Sequence, residues 1–466
     1  MALPDLIEIV PLDKPVRAEI TVPGSKSITN RALVLAALAD GETILTGALW
    51  SEDTQIMVEC LQELGFMVNA APDPDEVCNR TITVYGQGGT IPGGGTEENP
   101  LELFVGNAGT VARFLAALVC LGKGVYRLHG VPRMHERPQA ALFNALRELG
   151  YRVDSPNDKL PATIFGGGTA ERGSPEPQHS RNAGAAAAGT AALRPQRSCT
   201  VSIEESSQFA SALLLCAKHG GWEVKVVGEN AEESPYVAMT SKMIEAFPKS
   251  GGRFQIEPDT SSGSYFWGAG WLLWLAYVNS EINQCIVKCW PTSGWQIDAK
   301  ISNYFGFPKK VSRKADLGDS IMTAIALKPF DAPPKTIVQK SPEPYPTAFT
   351  DLGRLRVQET ERVVALRTEL TKCGAKVVEE GDTLTVYPSK LHGAEIETYN
   401  DHRMAMCFAI LGLKVPGIKI KNPACVKKTF PNFFQKLAAP PPNGLGATIL
   451  DAKTGRKLEL KELFAD

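Results

Sequence analysis

Residues 23–41 read PGSKSITNRALVLAALADG. An apolar run follows a Gly- and Ser-rich turn and ends at Asp40-Gly41, a pattern that predicts a helix beginning beside Lys26. Backbone N–H groups at a helix start lack partners within the helix, and the helix dipole favours negative charge there. Cations such as Lys26 and Arg31 are electrostatically disfavoured at that end unless an anion is bound. The stretch therefore indicates an anion-binding helix start.

Five further segments predict helix starts of the same kind. They are Asn107-Ala108-Gly109-Thr110, Glu136-Arg137-Pro138, Ser206-Ser207-Gln208, Asp401-His402-Arg403 and Lys427-Lys428-Thr429. The cations near the six starts are Lys26, Arg31, Arg113, Arg137, Arg403 and Lys428. A single such cation is usually a solvated surface residue. Six of them around Gly- and Ser-rich starts favour a converging cleft for small, multiply charged anions, either phosphates or carboxylates.

Two carboxylates belong to further predicted helix starts. Glu359 lies in RVQETER and Asp319 lies in LGDSIMT. They are either ordinary acids that stabilise a helix dipole, or a general acid and a general base held among cations. For His402 we expect a supporting role rather than a catalytic one, and for Cys407 a place in the core.

One phrase recurs along the chain and predicts a repeated module. It reads LQELGFMV from Leu61, LRELGYRV from Leu146 and LTKCGAKV from Leu370, each typical of a helix end, a glycine and a strand start. Several copies of one α/β unit are therefore expected. The segment 166–198 has almost no large apolar residue and predicts an inserted, mobile surface loop; a functional lid or docking tail is the alternative.

Composition excludes several classes of protein. The chain has 466 residues, enough for two or three domains, and its net charge of −2 argues against nucleic acid or an anionic membrane as a partner. No apolar run is long enough for a membrane span. The ten cysteines show neither C-x-x-C pairs nor zinc spacing, so we expect reduced thiols, no obligatory metal and a cytoplasmic protein. The absence of a Walker A loop, of G-x-G-x-x-G after a strand and of G-x-S-x-G disfavours a nucleotide kinase, a dehydrogenase and a hydrolase.

Eight motifs together resemble one family. They are PGSKSITNRALVLAALADG, GNAGTVARF, RMHERP, SSQFASALLL, GDSIMTA, RVQETERV, YNDHRMAMCFAI and KKTFPNFF. In this order, over nearly the whole chain, they resemble the 5-enolpyruvylshikimate-3-phosphate synthases, which are enolpyruvyl transferases. The resemblance implies an α/β fold of two domains, each an inside-out barrel of three repeated βαβαββ-type units. One domain would comprise 1–23 and 257–466, the other 24–256, with the active site in the cleft between them.

The resemblance also implies a reaction. Enolpyruvate would move from phosphoenolpyruvate to the 5-hydroxyl of shikimate 3-phosphate by addition and elimination, releasing phosphate, in the route to chorismate and the aromatic amino acids. The family needs no cofactor, and we expect a monomer whose partners are these two small molecules. Two alternatives stay open: a catalytically degenerate anion-binding homologue, and an enolpyruvyl transferase with another acceptor.

The family's roles pass to matching positions of this chain. Catalysis would use Lys26, Asp319 and Glu359. Phosphoenolpyruvate would be bound by Lys26, Gly109, Arg137, Gln208, Arg362, Arg403 and Lys428. Shikimate 3-phosphate would be bound by Lys26, Ser27, Arg31, Ser206, Ser207, Gln208, Tyr236, Asp319, Arg354 and Gln358.

Four positions depart from the family's pattern. Gln358 stands where lysine is usual and Arg354 where asparagine is usual, so we hypothesise that Arg354 supplies the missing phosphate-binding charge. Glu233 replaces a serine, whose place Ser234 could take through a one-residue shift. Phe114 replaces a proline, from which we predict weakened inhibition by glyphosate, the inhibitor that targets this family.

Overall fold

The computed structural model describes residues 3–167, 197–228, 234–276, 284–331 and 345–465. The predicted loop at 166–198 and the departure at Glu233 lie, apart from the loop's few end residues, outside this described part.

Helices and strands alternate along the described chain. The helices are α1 (Lys26–Leu38), α2 (Glu52–Glu63), α3 (Gly109–Leu118), α4 (Pro132–Glu136), α5 (Ala140–Glu148), α6 (Ser207–Gly220), α7 (Pro235–Ala246), α8 (Thr260–Ala276), α9 (Ile321–Leu327), α10 (Arg362–Lys372), α11 (His402–Gly412) and α12 (Phe433–Ala438). The strands are β1 (Leu6–Ile9), β2 (Arg17–Ile20), β3 (Asp40–Leu49), β4 (Met67–Pro72), β5 (Asn79–Gln87), β6 (Leu101–Phe104), β7 (Val125–His129), β8 (Arg152–Asp154), β9 (Ala162–Phe165), β10 (Arg197–Ser202), β11 (Trp222–Val227), β12 (Gly252–Gln255), β13 (Gln284–Val287), β14 (Lys310–Ser312), β15 (Thr347–Thr350), β16 (Val377–Glu380), β17 (Thr383–Val386), β18 (Glu395–Ile396), β19 (Ile418–Lys421) and β20 (Ile449–Asp451).

Four of the sheets have one pairing pattern. Their strand orders are β12-β3-β5-β4, β6-β7-β9-β8, β14-β15-β17-β16 and β18-β19-β1-β20, each with one parallel pair followed by two antiparallel pairs. Two smaller sheets, β10-β11 and β13-β2, are parallel pairs. Parallel neighbours need a crossover, which is α3 between β6 and β7 and α9 between β14 and β15. Apart from the short α4, the order β6-α3-β7-α5-β8-β9 recurs as β14-α9-β15-α10-β16-β17.

The recurring sequence phrase ends three helices in the same way. Gly65, Gly150 and Gly374 follow α2, α5 and α10 with φ of +87°, +86° and +91°, a conformation that favours glycine. The N–H of the next residue bonds back to the first leucine of each phrase, as Phe66 does to Leu61. The predicted helix end, glycine and strand start are confirmed at all three places.

The buried side chains form two separate cores. One core draws its residues from Ile28 to Ile256, and the other from Leu3 to Val22 and from Tyr265 to Ala465. The two connecting segments lie side by side: Ser25 N donates to Glu257 O at 2.8 Å, and Asp259 N donates to Pro23 O at 2.8 Å. The exact domain boundaries, 1–23 with 257–466 and 24–256, stay a prediction.

Cysteines and tryptophans are packing residues in the described structure. All ten thiols are unpaired and nine are buried, Cys407 among them, where burial raises the thiol pKa to about 12. Trp271 packs between Phe305 and Phe307, with ring centroids 5.7 and 5.3 Å away. Among the described helices, none has the length and apolar character that crossing a membrane requires.

Candidate active site

A cavity between the two cores contains every residue that the sequence predicts for the site. It encloses about 1220 Å³, including its open mouth. The predicted residues in its wall are Lys26, Ser27, Arg31, Gly109, Arg137, Ser206, Ser207, Gln208, Tyr236, Asp319, Arg354, Gln358, Glu359, Arg362, Arg403 and Lys428. Nine lysine and arginine side chains face six carboxylates in this wall. The structure thus brings together residues that are up to 400 positions apart in the chain, with the expected excess of positive charge.

The start of α1 places two of these cations. Lys26 is the first residue of α1, and its Nζ lies 2.9 Å from Asp53 Oδ2 on α2. Arg31, one turn later, is buried and donates to Thr240 Oγ1 at 2.8 Å and to Ser211 Oγ at 3.0 Å. Lys26 therefore faces the cavity as a donor, whereas most of the Arg31 guanidinium is bound to the protein itself.

The starts of α3 and α6 meet through Gln208. Its Nε2 donates to Thr110 Oγ1 at 3.0 Å, and its Oε1 accepts from Arg113 Nη1 at 2.5 Å. Ser206 caps α6 by accepting from Gln208 N. At Gly109, the first residue of α3, an added Cβ would lie 2.8 Å from the Arg137 guanidinium carbon. A side chain at this position would therefore displace the Arg137 guanidinium from the helix start.

Two of the predicted helix starts are wrong. Arg137 follows α4 in an extended conformation, and the next helix begins at Ala140. Its extended backbone follows from Pro138, because a residue before proline is excluded from the helical region. Lys428 ends a 3₁₀ turn, and α12 begins only at Phe433, beyond Pro431. Both cations nevertheless reach the cavity.

Asp319 lies in a 3₁₀ turn that leads directly into α9, as expected. Its carboxylate accepts from Arg313 Nη2 at 2.6 Å and lies 3.3 Å from Arg403 Nη2. Burial opposes ionisation, but Arg403, Arg313 and Arg362 outweigh it and lower the pKa of Asp319 below its usual range. Asp319 is therefore an anion near neutral pH, the form that a base requires.

Glu359 lies just ahead of α10 rather than within its first turn, because Glu361 caps that helix. Its carboxylate is 2.8 Å from Arg362 Nη2 and 3.3 Å from Lys428 Nζ. Burial would raise the pKa of Glu359, but Arg362 and Lys428 outweigh it and hold that pKa well below its usual range. With no anionic ligand bound, Glu359 is also ionised.

Arg362 connects the two candidate catalytic carboxylates. Besides Glu359, it lies 3.9 Å from Asp319 through Nη1. Its Nε is held 2.7 Å from Asp401, the residue that caps α11 and so places Arg403. A single buried guanidinium thereby fixes the general acid candidate relative to the general base candidate.

Arg354 and Gln358 enter the cavity from a 3₁₀ turn over Gly353–Val357 and from the residue that follows it. Arg354 donates to Ser207 Oγ at 3.2 Å and to the carbonyl oxygen of Ile203, across the cleft. Gln358 accepts from Arg362 Nη1.

Phe114 is fully buried in α3, with the Arg31 guanidinium 5.3 Å from its ring. The weakened inhibition by glyphosate expected from Phe114 stays a prediction.

Several residues of the cavity wall lay outside the sequence-based site prediction. They are Asp53, Asp259, Asp298 and Arg313, and no motif marks them. Asp298 accepts from Ser320 N at 2.6 Å; burial, reinforced by the charge of Asp319, raises its pKa to about 7. His402 is buried, and neither of its ring nitrogens has a partner among the described residues. Burial lowers the pKa of His402, so it is neutral, in keeping with a supporting role.

Comparison with known proteins gives the family. The model of the EPSP synthase family, the 3-phosphoshikimate 1-carboxyvinyltransferases, matches residues 11–174 and 248–437. The chain belongs to this family. Curated relatives of that name include those of Nostoc punctiforme, 34% identical over 93% of this chain and 98% of the relative, and of Opitutus terrae, 35% identical over 94% and 98%.

Solved structures support the EPSP synthase fold. An EPSP synthase of Acinetobacter baumannii superposes with a TM-score of 0.63 at 19% identity, covering 95% of this chain and 99% of that one. The enolpyruvyl transferase NikO of Streptomyces tendae gives 0.60 at 14% identity, covering 98% and 99%. The predicted two-domain enolpyruvyl transferase fold is confirmed. In the described part of this EPSP synthase family member, no group of three or more His, Cys, Asp or Glu side chains is arranged to hold a metal ion.

Proposed function

We propose that this chain transfers enolpyruvate from phosphoenolpyruvate to the 5-hydroxyl of shikimate 3-phosphate, with release of phosphate. The observation that carries the proposal is the pair of buried carboxylates, Glu359 and Asp319, linked by Arg362 inside a cavity rich in cations. Both substrates are polyanions, and the reaction needs one acid and one base. Membership of the EPSP synthase family and this set of carboxylates and cations support the same function.

In the addition step, one of the two carboxylates accepts a proton and the other donates one. Asp319, ionised among its arginines, accepts the proton of the attacking hydroxyl. Glu359 delivers a proton to the methylene carbon, which requires that it first be protonated. Arg362 and Lys428 depress its pKa in the unliganded site, so an anion that pairs with these cations weakens their hold and allows Glu359 to take up a proton.

In the elimination, Glu359 takes a proton back from the new methyl group, the proton that Asp319 accepted leaves with the phosphate, and the cations stabilise that departing group. Lys26, Arg137 and Lys428, with the start of α3 at Gly109, receive the phosphate, while Arg362 and Arg403 hold the carboxylate. Lys26 Nζ, which stands 2.9 Å from Asp53 in the unliganded site, turns towards the leaving group in this proposal. Acid–base groups and fixed cations are sufficient for this sequence of steps.

Substrate binding brings the two cores together in this proposal. The segments at 22–24 and 256–259, which are bonded to each other, act as the hinge. Closure expels water and strengthens the interactions of the cations with both substrates. We further propose a monomer, since one chain supplies the whole site, and a cytoplasmic location, since all ten cysteines are unpaired thiols.

Acceptor specificity tests the proposal. Purified protein is incubated with phosphoenolpyruvate and shikimate 3-phosphate, unphosphorylated shikimate or a UDP-sugar, and phosphate release is followed. We expect release with shikimate 3-phosphate far above that with the other two acceptors. Release only with another acceptor would replace this function by that of a related transferase. Binding of shikimate 3-phosphate without release would show a degenerate homologue.

A further inference from the structure

Arg313 is a buried cation that no sequence motif marks, and its bond to Asp319 accounts for only part of its guanidinium. It begins a single π-helical turn over Arg313–Leu317, and it is 7% exposed. Its Nη2 is bound to Asp319, but its Nε is buried without a partner among the described residues. A buried donor without an acceptor is costly, and it is often completed by a ligand.

Arg313 stands in a wall between two cavities. The catalytic cavity and a second one of about 980 Å³ share Arg313, Arg354 and Tyr236. Both arginines line both cavities, and burial together with the charge of Arg313 lowers the pKa of Arg354. Two guanidinium groups that repel each other in a buried wall are stabilised by an anion placed between them.

The nearby carboxylates do not neutralise this pair. Asp319 is shared among Arg313, Arg362 and Arg403. In the wall of the second cavity, Asp351 accepts from Ser312 Oγ at 2.6 Å and Asp382 accepts from Arg356 Nε at 3.0 Å. Apart from Arg313 and Arg354, that wall has three acids, Glu204, Asp351 and Asp382, and one cation, Lys314, so its excess negative charge favours an anion at the shared wall.

We propose that Arg313, together with Arg354, binds the phosphate group of the phosphorylated acceptor. Arg354 already touches Ser207 at the start of α6, so the phosphate would meet a hydroxyl, helix N–H groups and two guanidiniums. Arg313 would use the free Nε for the phosphate and keep Nη2 on Asp319. The Arg313 side chain would thus contact both the acceptor's phosphate and the base, Asp319. This inference rests on the proposed function, because that function supplies the phosphorylated acceptor.

Comparing the binding of a phosphorylated and an unphosphorylated ligand tests the role of Arg313. Calorimetry gives the dissociation constants of shikimate 3-phosphate and of shikimate for the wild type, Arg313→Met and Arg127→Met, an exposed arginine that serves as control. Loss of a charged hydrogen-bond partner should weaken binding of shikimate 3-phosphate about 10- to 100-fold in Arg313→Met. Binding of shikimate, which lacks the phosphate, should weaken far less in Arg313→Met, and both ligands should bind unchanged in the control.

Equal weakening of both ligands, or no weakening of either, would overturn the assignment. If Arg313→Met does not fold, Arg313→Lys decides: it keeps the ion pair with Asp319 but loses the planar fork, so it should still lower the preference for the phosphorylated ligand. A wild-type preference in that variant would overturn the proposal. Phosphate release by the wild type tests the proposed function separately, because it does not depend on Arg313.

Discussion

At the residue scale, neighbouring carboxylates of the cleft have opposite protonation behaviour. Asp319 accepts from Arg313 and is ionised, whereas burial and the charge of Asp319 raise the pKa of Asp298 to about 7. Asp298 stabilises the 3₁₀ turn that contains Asp319 by accepting from Ser320 N. The cost of keeping this acid inside the protein therefore depends on pH.

The stability of an Asp298→Asn variant tests this charge pattern. Between the unfolded pKa near 4 and the folded pKa of about 7, the native state holds a proton that the unfolded state has lost, so wild-type stability falls as pH rises. Asparagine keeps the acceptor and removes the titration. From about pH 5.5 to about pH 8, the stability of the variant relative to wild type should increase by about 2 kcal/mol, at 1.36 kcal/mol per pH unit. Urea unfolding at both pH values measures it; a constant difference would contradict the account.

Arg354 gives a second prediction at this scale. In Arg354→Ala, with Lys26 intact, the Michaelis constant for shikimate 3-phosphate should rise about 10- to 100-fold, because a charged partner of the phosphate is lost. The constant for phosphoenolpyruvate should change far less. Steady-state kinetics with each substrate varied separately measures both. An unchanged constant for shikimate 3-phosphate would show that another residue replaces the lysine missing at Gln358.

Part of the cavity wall was predictable from the sequence. Lys26, Gly109 and Arg403 stand in motifs at helix starts, and the structure places them in the cavity. Arg313 and Asp298 have no such signal, because they lie in a π-helical turn and a 3₁₀ turn that are too short to show a periodic sequence pattern. Their burial and charge environment exist only once distant segments have packed together.

At the scale of the element, α11 depends on one residue for two tasks. Asp401 caps the helix by accepting from Arg403 N at 2.9 Å, and it accepts from Arg362 Nε at 2.7 Å. Asp401 is completely buried. The same carboxylate thus starts a helix and orients the guanidinium between the catalytic acids.

Two variants separate these tasks. Asp401→Ala loses the cap and leaves Arg362 without its buried partner, so it should destabilise the protein by about 3–5 kcal/mol. Asp401→Asn keeps a capping oxygen and should be less destabilised, while both variants should raise the Michaelis constant for phosphoenolpyruvate. Urea unfolding and kinetics measure these effects. Equal stability of the wild type and the alanine variant would contradict them.

Helix boundaries show where local patterns are insufficient. The glycines that end α2, α5 and α10 were predictable because a left-handed residue is a local requirement. The starts expected at Arg137 and Lys428 are wrong by several residues: Arg137 is extended before Pro138, Lys428 ends a 3₁₀ turn, and α5 and α12 begin only at Ala140 and Phe433.

At the scale of the whole molecule, charge is unevenly distributed. The chain has a net charge of −2, yet the cavity wall has nine cationic side chains and six carboxylates. A concave, positively charged site attracts polyanionic substrates over a distance that salt shortens, since the Debye length is about 10 Å at 0.1 M.

The specificity constant should therefore fall as ionic strength rises. We expect a severalfold decrease in kcat/KM for shikimate 3-phosphate, and a shallower dependence in Arg354→Ala, which has one cation fewer in the wall. Initial rates across a salt series, with circular dichroism to verify the fold, measure both slopes. A specificity constant independent of salt would show that the cavity's charge does not guide the substrates.

Contacts across the cleft unite the two cores into one site. Glu76 of one core accepts from Asn432 Nδ2 at 2.7 Å and pairs with Lys436 at 2.8 Å in the other. Catalysis in this account requires both cores, because Lys26 and Arg137 come from one and Glu359 and Asp319 from the other.

The measurement that tests the account most directly is phosphate release from phosphoenolpyruvate and shikimate 3-phosphate, by the wild type and by Glu359→Gln, with no metal added. Wild-type protein should release phosphate, and the variant should do so about 10²- to 10⁴-fold more slowly, because glutamine cannot deliver the proton. Calorimetry should show that the variant still binds shikimate 3-phosphate. Wild-type release rates in Glu359→Gln, or a wild type that binds the acceptor without releasing phosphate, would contradict the account.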